Sequence, residues 1–164
     1  MKPEIITECY VDTLLMAIVT DTGKESINHQ YGCHNVAKVM QNRYYANRPT
    51  IGVIDNDKKK PLYFAQFKNI DTHKDILVLW EHHQHRIISV GAKNKSIESF
   101  ILSAAQEGEV NMADYGLPDT LEGLQDITKT NKSMNNELLK KLFRTLKDKS
   151  ESFRKLGQWL QYGE

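Results

Sequence analysis

The sequence has few cysteines and no long hydrophobic run. Only Cys9 and Cys33 occur among its 164 residues, too few for a metal-thiolate cluster, and we expect both to be free thiols in a reducing compartment. No apolar segment approaches the roughly 20 residues that a membrane helix needs. The first residues, MKPEIITE, have no hydrophobic core of the kind found in signal peptides. We therefore expect a cytoplasmic protein that has no membrane partner.

Length and composition indicate one folded domain. A chain of 164 residues can bury a substantial core but is too short for two independent cores. Net charge is only +1, yet residues 129–155 hold nine Lys or Arg against three acidic residues, while residues 1–128 hold 13 against 17. An acidic region followed by a basic tail suits a metal centre beside a track for a polyanion. For the tail alone, solvated helix faces are the simpler explanation.

The first third of the chain has the pattern of a βαβ arrangement. Residues 4–10, EIITECY, predict a strand leading into a helix, whose apolar stripe is Val11, Leu14, Leu15, Ile18 and Val19. A second helix is predicted after Gly32, with Val36, Val39 and Met40 facing inward and Pro49 as its far limit. TIGVID then predicts a buried strand of a parallel sheet. The expected fold class is α/β, with a mostly parallel, Rossmann-like central sheet flanked by helices.

The rest of the chain predicts a surface segment, a hairpin and four helices. Residues 58–75 are interpreted as a polar excursion around LYFAQF, and ILVLWEHHQHRIISVGA as two strands about a turn that includes Gln84 and Arg86. Four apolar stripes follow: residues 97–105, 121–127, 138–146 and 153–160. We expect an α/β domain over residues 1–107 and a helical extension over residues 108–164 packed on the same domain.

Acidic residues stand where two of the predicted strands end. Glu8 closes the first strand, Asp55 closes TIGVI, and Asp57 follows two residues later. Ligands of open α/β sheets bind beyond the carboxyl ends of the strands, so neighbouring strands would bring these carboxylates together. Hard oxygen ligands without cysteine favour Mg²⁺ or Mn²⁺, which supports phosphoryl chemistry. Turn formation is the alternative, because Asp-Asn-Asp-Lys is also good turn chemistry.

The order Glu8, Asp12, Gly32, Asn35-Val36 and then IGVIDND resembles the Toprim domain of topoisomerases, bacterial primases and several nucleases. The similarity covers residues 1 to about 107. It is nearest to the Toprim modules of overcoming-lysogenisation-defect nucleases and related bacterial defence proteins, in which an I-E-x-[FY]-[IL] run opens a later helix; residues 97–101, IESFI, are similar. The resemblance implies a metal-dependent nuclease acting on DNA or RNA. Its metal ligands would be Glu8, Asp55, Asp57 and Glu98.

Two departures from that family redirect the functional hypothesis. Cys9 follows Glu8 where family members usually have Gly, and Lys58, Lys59 and Lys60 follow the D-x-D pair, which disfavours primase and topoisomerase activity. The chain also lacks a G-x-x-x-x-G-K-[ST] phosphate loop. A non-catalytic Toprim-like module that works with a separate ATPase or effector protein is therefore the first alternative. A small ribosomal-RNA maturation nuclease, with the basic tail binding RNA, is the second.

Several other residues are candidates for substrate contact. Lys58 is predicted to contact the scissile phosphate and to act in catalysis, and Lys93 and Lys95 to contact phosphate at a helix start. We expect Asp12 and Gly32 at the substrate site as well. His29 and His34 flank Gly32 near the same mouth, although a surface role is the simpler interpretation. For His82, His83 and His85, zinc binding is a weaker hypothesis, because strand alternation would point His82 away from the other two.

Overall fold

The computed structural model describes residues 1–56 and 59–161, which contain one six-stranded sheet. Its strands are β1 (Glu4–Thr7), β2 (Asn28–His29), β3 (Thr50–Asp55), β4 (Lys68–His73), β5 (Leu77–His82) and β6 (His85–Val90). The order across the sheet is β2-β1-β3-β6-β5-β4. Neighbours from β2 to β6 pair in parallel, and β5 and β4 are antiparallel. The expected α/β, Rossmann-like class is confirmed.

Helices cover both faces of this sheet. They are α1 (Tyr10–Val19), α2 (Cys33–Met40), α3 (Ile97–Glu107), α4 (Leu121–Thr128), α5 (Glu137–Lys149) and α6 (Glu151–Trp159). One face packs against α1, α3 and the C-terminal helices, and the other against α2 and the turn that holds Phe64 and Phe67. Both faces of β3 are thus covered, which explains why TIGVID has no polar alternation.

The carboxyl end of β1 lies beside that of β3 because the two strands pair directly in parallel, with α1 and α2 packed on opposite faces of the sheet. The apolar stripe of α1 is buried on the sheet, with Leu15 and Met16 fully inaccessible. On the other face α2 lies so close to β3 that a Cβ at Gly52 would stand 2.9 Å from the Met40 sulfur. Glycine at this position therefore brings the helix onto the strand.

The C-terminal helices share one core with the α/β part. Phe100 of α3 stacks on Phe153 of α6 with ring centroids 5.3 Å apart, and α5 packs on α1. Each C-terminal helix begins at a residue whose side chain accepts hydrogen bonds from the first turn: Thr120, Asn136 and Ser150. The four amphipathic stripes are confirmed as helices, with one correction: Leu138 is 42% exposed.

Glu107, the last residue of α3, connects α3 to the junction of α5 and α6. Its carboxylate accepts hydrogen bonds from the Ser150 hydroxyl at 2.6 Å, from the Ser152 amide and hydroxyl at 2.8 Å each, and from the Lys74 ammonium at 2.9 Å. Burial alone would raise its pKa. The hydrogen bonds outweigh burial and lower the pKa of Glu107 to about 2.

Glu107→Gln is expected to lower the free energy of unfolding at pH 7 by about 2 kcal/mol, because charge-assisted bonds are replaced by weaker ones. A carboxylate with a depressed pKa stabilises the fold above its unfolded pKa. The wild type should therefore lose this stability as pH falls from about 4.5 to about 2. Urea unfolding of both proteins from pH 2 to 7 measures this difference. A constant difference across that range would contradict the assignment.

The sequence-based prediction was wrong at two places in the middle of the chain. Residues 68–73, expected as a surface excursion, form edge strand β4. In the β5–β6 hairpin the turn is His83-Gln84, and Arg86 belongs to β6. His82 therefore pairs directly with His85, and the two share a face of the sheet, contrary to the expectation from alternation. Within the described residues, the helices are too short or too polar to span a bilayer.

Candidate functional site

Two acidic residues mark the carboxyl ends of adjacent parallel strands. Glu8 follows β1 directly and is 4% exposed, and Asp55 is the last residue of β3 and is 9% exposed. The register pairs Thr7 with Val53, so the two strands end side by side. The other two residues predicted to act here, Asp57 and Lys58, lie outside the described residues.

The start of α3 contributes to the same edge of the sheet. The Ile97 amide donates to Asp55 Oδ1 at 3.0 Å, so the positive end of α3 stabilises that carboxylate. One residue further, Glu98 is 7% exposed. Its Oε2 accepts a hydrogen bond from the Ser96 hydroxyl, and its Oε1 accepts one from the Thr128 hydroxyl at 2.5 Å. Asp55 and Glu98 are therefore held in fixed positions around one helix N-terminus.

Asp12 is the most deeply buried acid of the site. It is 1% exposed, and neither carboxylate oxygen makes a hydrogen bond of good geometry within the described part of the chain. Burial raises the pKa of Asp12 well above its usual value, and the charges of Glu8 and Glu98 raise it further. The Cys9 thiol and amide only partly offset this rise. The carboxylates of Glu8 and Glu98 are thus close enough to act on that of Asp12.

Cys9 lies among these acids. Toprim domains, which this sequence resembles, usually have glycine at the corresponding position. Burial raises the pKa of the Cys9 thiol well above its usual value, and the charges of Asp12 and Asp55 act in the same direction. The thiol is neutral at physiological pH. A neutral thiol is a poor nucleophile, so this environment does not favour catalysis by Cys9.

An open pocket of about 610 Å³ lies over the acids and is closed on one side by α4. Asp55 and Glu98 line its floor, and Cys9 and Tyr10 line one wall. The α4 wall is Glu122, Gln125, Asp126, Thr128 and Lys129. Gln125 donates to the Ser96 hydroxyl at 3.2 Å, next to the Thr128 bond to Glu98. The helical extension therefore forms part of the site.

The described part of the pocket lining carries more negative than positive charge. Among the described residues of the lining, four are acidic, namely Asp55, Glu98, Glu122 and Asp126, and Lys129 is the cation. That lysine forms an ion pair with Asp126 at 3.2 Å. A phosphate entering this pocket would meet repulsion, and a cation would meet attraction. The lining thus favours a cation, or an anion that arrives with one.

Of the other predicted contact residues, Gly32 is bonded to the acidic edge. Gly32 caps α2 with φ 89° and ψ 159°, a conformation restricted to glycine, and its amide donates to the Glu8 carbonyl at 3.1 Å. Lys93 and Lys95 are exposed in the turn before α3, and His34 is exposed on α2. His34 lines a separate pocket with Lys38 and Tyr63, and neither lysine lines the pocket that holds Asp55 and Glu98.

The acids lie at one edge of the sheet, but those in the described residues do not form a metal-ligand set. Within residues 1–56 and 59–161, no group of three or more His, Cys, Asp or Glu side chains is arranged to hold a metal ion. This applies equally to the histidine cluster. His85 has both ring nitrogens engaged, Nδ1 with the Tyr63 hydroxyl at 2.5 Å and Nε2 with the Tyr45 carbonyl at 2.9 Å.

Sequence reasoning missed the α4 residues and the tyrosine of the site. Thr128 reaches Glu98 across 30 positions of sequence, and no motif in the chain marks that contact. Tyr10, which lines the pocket, carried no signal in the sequence as an isolated aromatic. His29, by contrast, was identified from its place beside Gly32.

Comparison with known proteins gives this site no assignment. The chain matches no family model, and it has no significant similarity to a curated protein or to a solved structure.

Proposed function

We propose that this protein is a divalent-metal-dependent phosphodiesterase of Toprim type that acts on nucleic acid, with Mg²⁺ or Mn²⁺ bound near Glu8 and Asp55. The observation that carries the proposal is Asp12. A buried carboxylate that has no hydrogen-bond donor of good geometry and lies within the field of two more acids is unfavourable in the absence of a cation. A bound divalent ion would relieve that repulsion.

The chemistry of the proposal follows from the arrangement of the acids. Glu8 and Asp55 would hold the ion, with Asp57 as the third expected ligand, and Glu98 would stay fixed by Ser96 and Thr128. When bound, such an ion polarises a phosphodiester and lowers the pKa of a bound water. Lys93 and Lys95, exposed in the turn before α3, would attract the nucleic-acid backbone.

Asp55→Asn tests the proposal with little change in structure, because the amide oxygen can still accept the hydrogen bond from Ile97. We expect Mn²⁺ affinity, measured by calorimetry, to fall at least about tenfold, and cleavage of DNA or RNA to fall by on the order of 100-fold or more. Asp114→Asn, at an exposed position, is the matched control and should change neither. Equal Mn²⁺ affinity in wild type and Asp55→Asn would refute the site.

A second function is favoured by the incomplete ligand set in the described residues. We propose as the alternative a non-catalytic Toprim-like module that acts beside a partner ATPase or effector. Binding of Mn²⁺ without cleavage of any single-stranded or duplex DNA or RNA, together with co-purification of an ATPase, would support this alternative. Metal-dependent cleavage by the isolated chain would exclude it.

A further inference from the structure

Three aromatic rings from separate elements meet beside the acidic pocket. Tyr10 begins α1, His29 ends β2, and Tyr31 lies in the loop before α2. The Tyr10 and His29 rings stack with centroids 4.5 Å apart and planes 27° apart. Tyr31 meets both of them edge-on, at 5.9 and 4.8 Å. We call these three residues the aromatic corner.

Tyr31 is both exposed and held in place. Its side chain is 68% exposed, which leaves most of the ring open to solvent. The Tyr10 hydroxyl donates to the Tyr31 hydroxyl at 3.2 Å, and the side-chain amide of Asn35 donates to the Tyr31 backbone carbonyl at 2.7 Å. The flanking residues are tied to β1, because the Gln30 amide donates to Thr7 and the Gly32 amide to Glu8. Little conformational entropy therefore remains to be lost on binding.

The His29 and Tyr10 rings are uncharged at neutral pH. Burial lowers the pKa of His29, so its imidazole is neutral. The hydrogen bond to Tyr31 raises the pKa of Tyr10, so its phenol stays protonated. Neutral, flat and partly open rings attract the π-face of another ring and have no preference for phosphate.

The aromatic corner adjoins the acids directly, because Tyr10 lines the same pocket as Asp55 and Glu98. We infer that the corner stacks an unpaired nucleobase of a single strand whose backbone phosphate lies at the acidic pocket. This inference rests on the proposed function for the position of the phosphate. It adds the substrate class: a single-stranded or locally unpaired nucleic acid, since a base within a duplex has no free face for Tyr31.

Tyr31→Ala tests the inference against a matched tyrosine. Tyr44 is 54% exposed and also contacts a second tyrosine, but it follows α2 and so lies towards the opposite edge of the sheet. Binding of fluorescent 12-nucleotide single strands is measured by anisotropy in Ca²⁺. We expect Tyr31→Ala to weaken binding about tenfold, within the range of roughly 5- to 150-fold for loss of one stacked base. Tyr31→Phe and Tyr44→Ala should bind as the wild type does.

The outcomes separate this inference from the proposed function. Equal affinity of Tyr31→Ala and Tyr44→Ala, or no binding of single strands by the wild type, overturns the aromatic corner even if Mn²⁺-dependent cleavage is observed. Tyr31-dependent binding without cleavage in Mn²⁺ supports the corner and refutes the hydrolytic function. Equal loss of single-strand and duplex binding in Tyr31→Ala overturns the preference for unpaired bases.

Discussion

Replacing Asp12 by Asn is expected to stabilise the metal-free protein at pH 8 by about 1–3 kcal/mol, the range for relieving a buried, unsatisfied polar or charged group. Few substitutions in a buried core have this sign. The reason is that the Asp12 carboxylate is 1% exposed, has no good hydrogen-bond donor in the described residues and lies in the field of Glu8 and Glu98. An amide carries no charge, and it can donate to a neighbouring carboxylate.

The contribution of Asp12 to the stability of the wild type should also decrease as pH rises. Because the folded state raises the pKa of Asp12 above its unfolded value of 3.8, the folded protein binds a proton more tightly than the unfolded chain does. The stability contributed by protonated Asp12 is therefore complete below pH 3.8 and is lost as pH rises through the folded pKa. His29 and His82 have lowered pKa values and act in the opposite direction below pH 6.5.

The difference between wild type and Asp12→Asn isolates the contribution of Asp12, because both proteins contain the same histidines. Urea unfolding from pH 4 to 9 in EDTA should show the variant gaining on the wild type as pH rises. Saturating Mn²⁺ should reduce that gain, because a cation at the acids stabilises the charged form of the wild type. A difference that is constant with pH would show that Asp12 does not titrate differently in the folded state.

The position of the acidic edge could be predicted from the sequence because it depends only on where strands end. Glu8 and Asp55 close apolar segments, and parallel strands place their carboxyl ends together. The burial of Asp12 could not be predicted in this way. It depends on residues distant in sequence: Glu98 of α3 lies close enough for its charge to act on Asp12, and α5 packs on α1.

The sequence-based prediction of strands was wrong where strand pairing, and not the local sequence pattern, determines the structure. Strand β4 is mostly exposed and polar, so its sequence has no apolar alternation, and it becomes a strand by pairing with β5. In the hairpin, a two-residue turn at His83-Gln84 places His82 opposite His85. A turn shifted by one residue would have reversed which face each histidine occupies.

Removing the helical extension is expected to unfold the protein, because the hydrophobic core crosses the boundary near residue 107. Residues 1–107 alone would expose the apolar surfaces of α1 and α3 that α5 and α6 bury. A truncated chain should therefore show no cooperative thermal transition. A cooperative transition in residues 1–107 would instead define an independent α/β domain.

Leu142→Ala tests the same core with a single substitution, and Leu138→Ala on the same helix is its matched control. Leu142 is fully buried, whereas Leu138 is 42% exposed. We expect Leu142→Ala to lower the free energy of unfolding by about 2–5 kcal/mol and Leu138→Ala by less than about 1 kcal/mol. Since α5 packs on α1, which carries Asp12, Leu142→Ala should also weaken Mn²⁺ binding while Leu138→Ala leaves it unchanged. Equal effects of the two substitutions would mean that α5 does not support the site through this face.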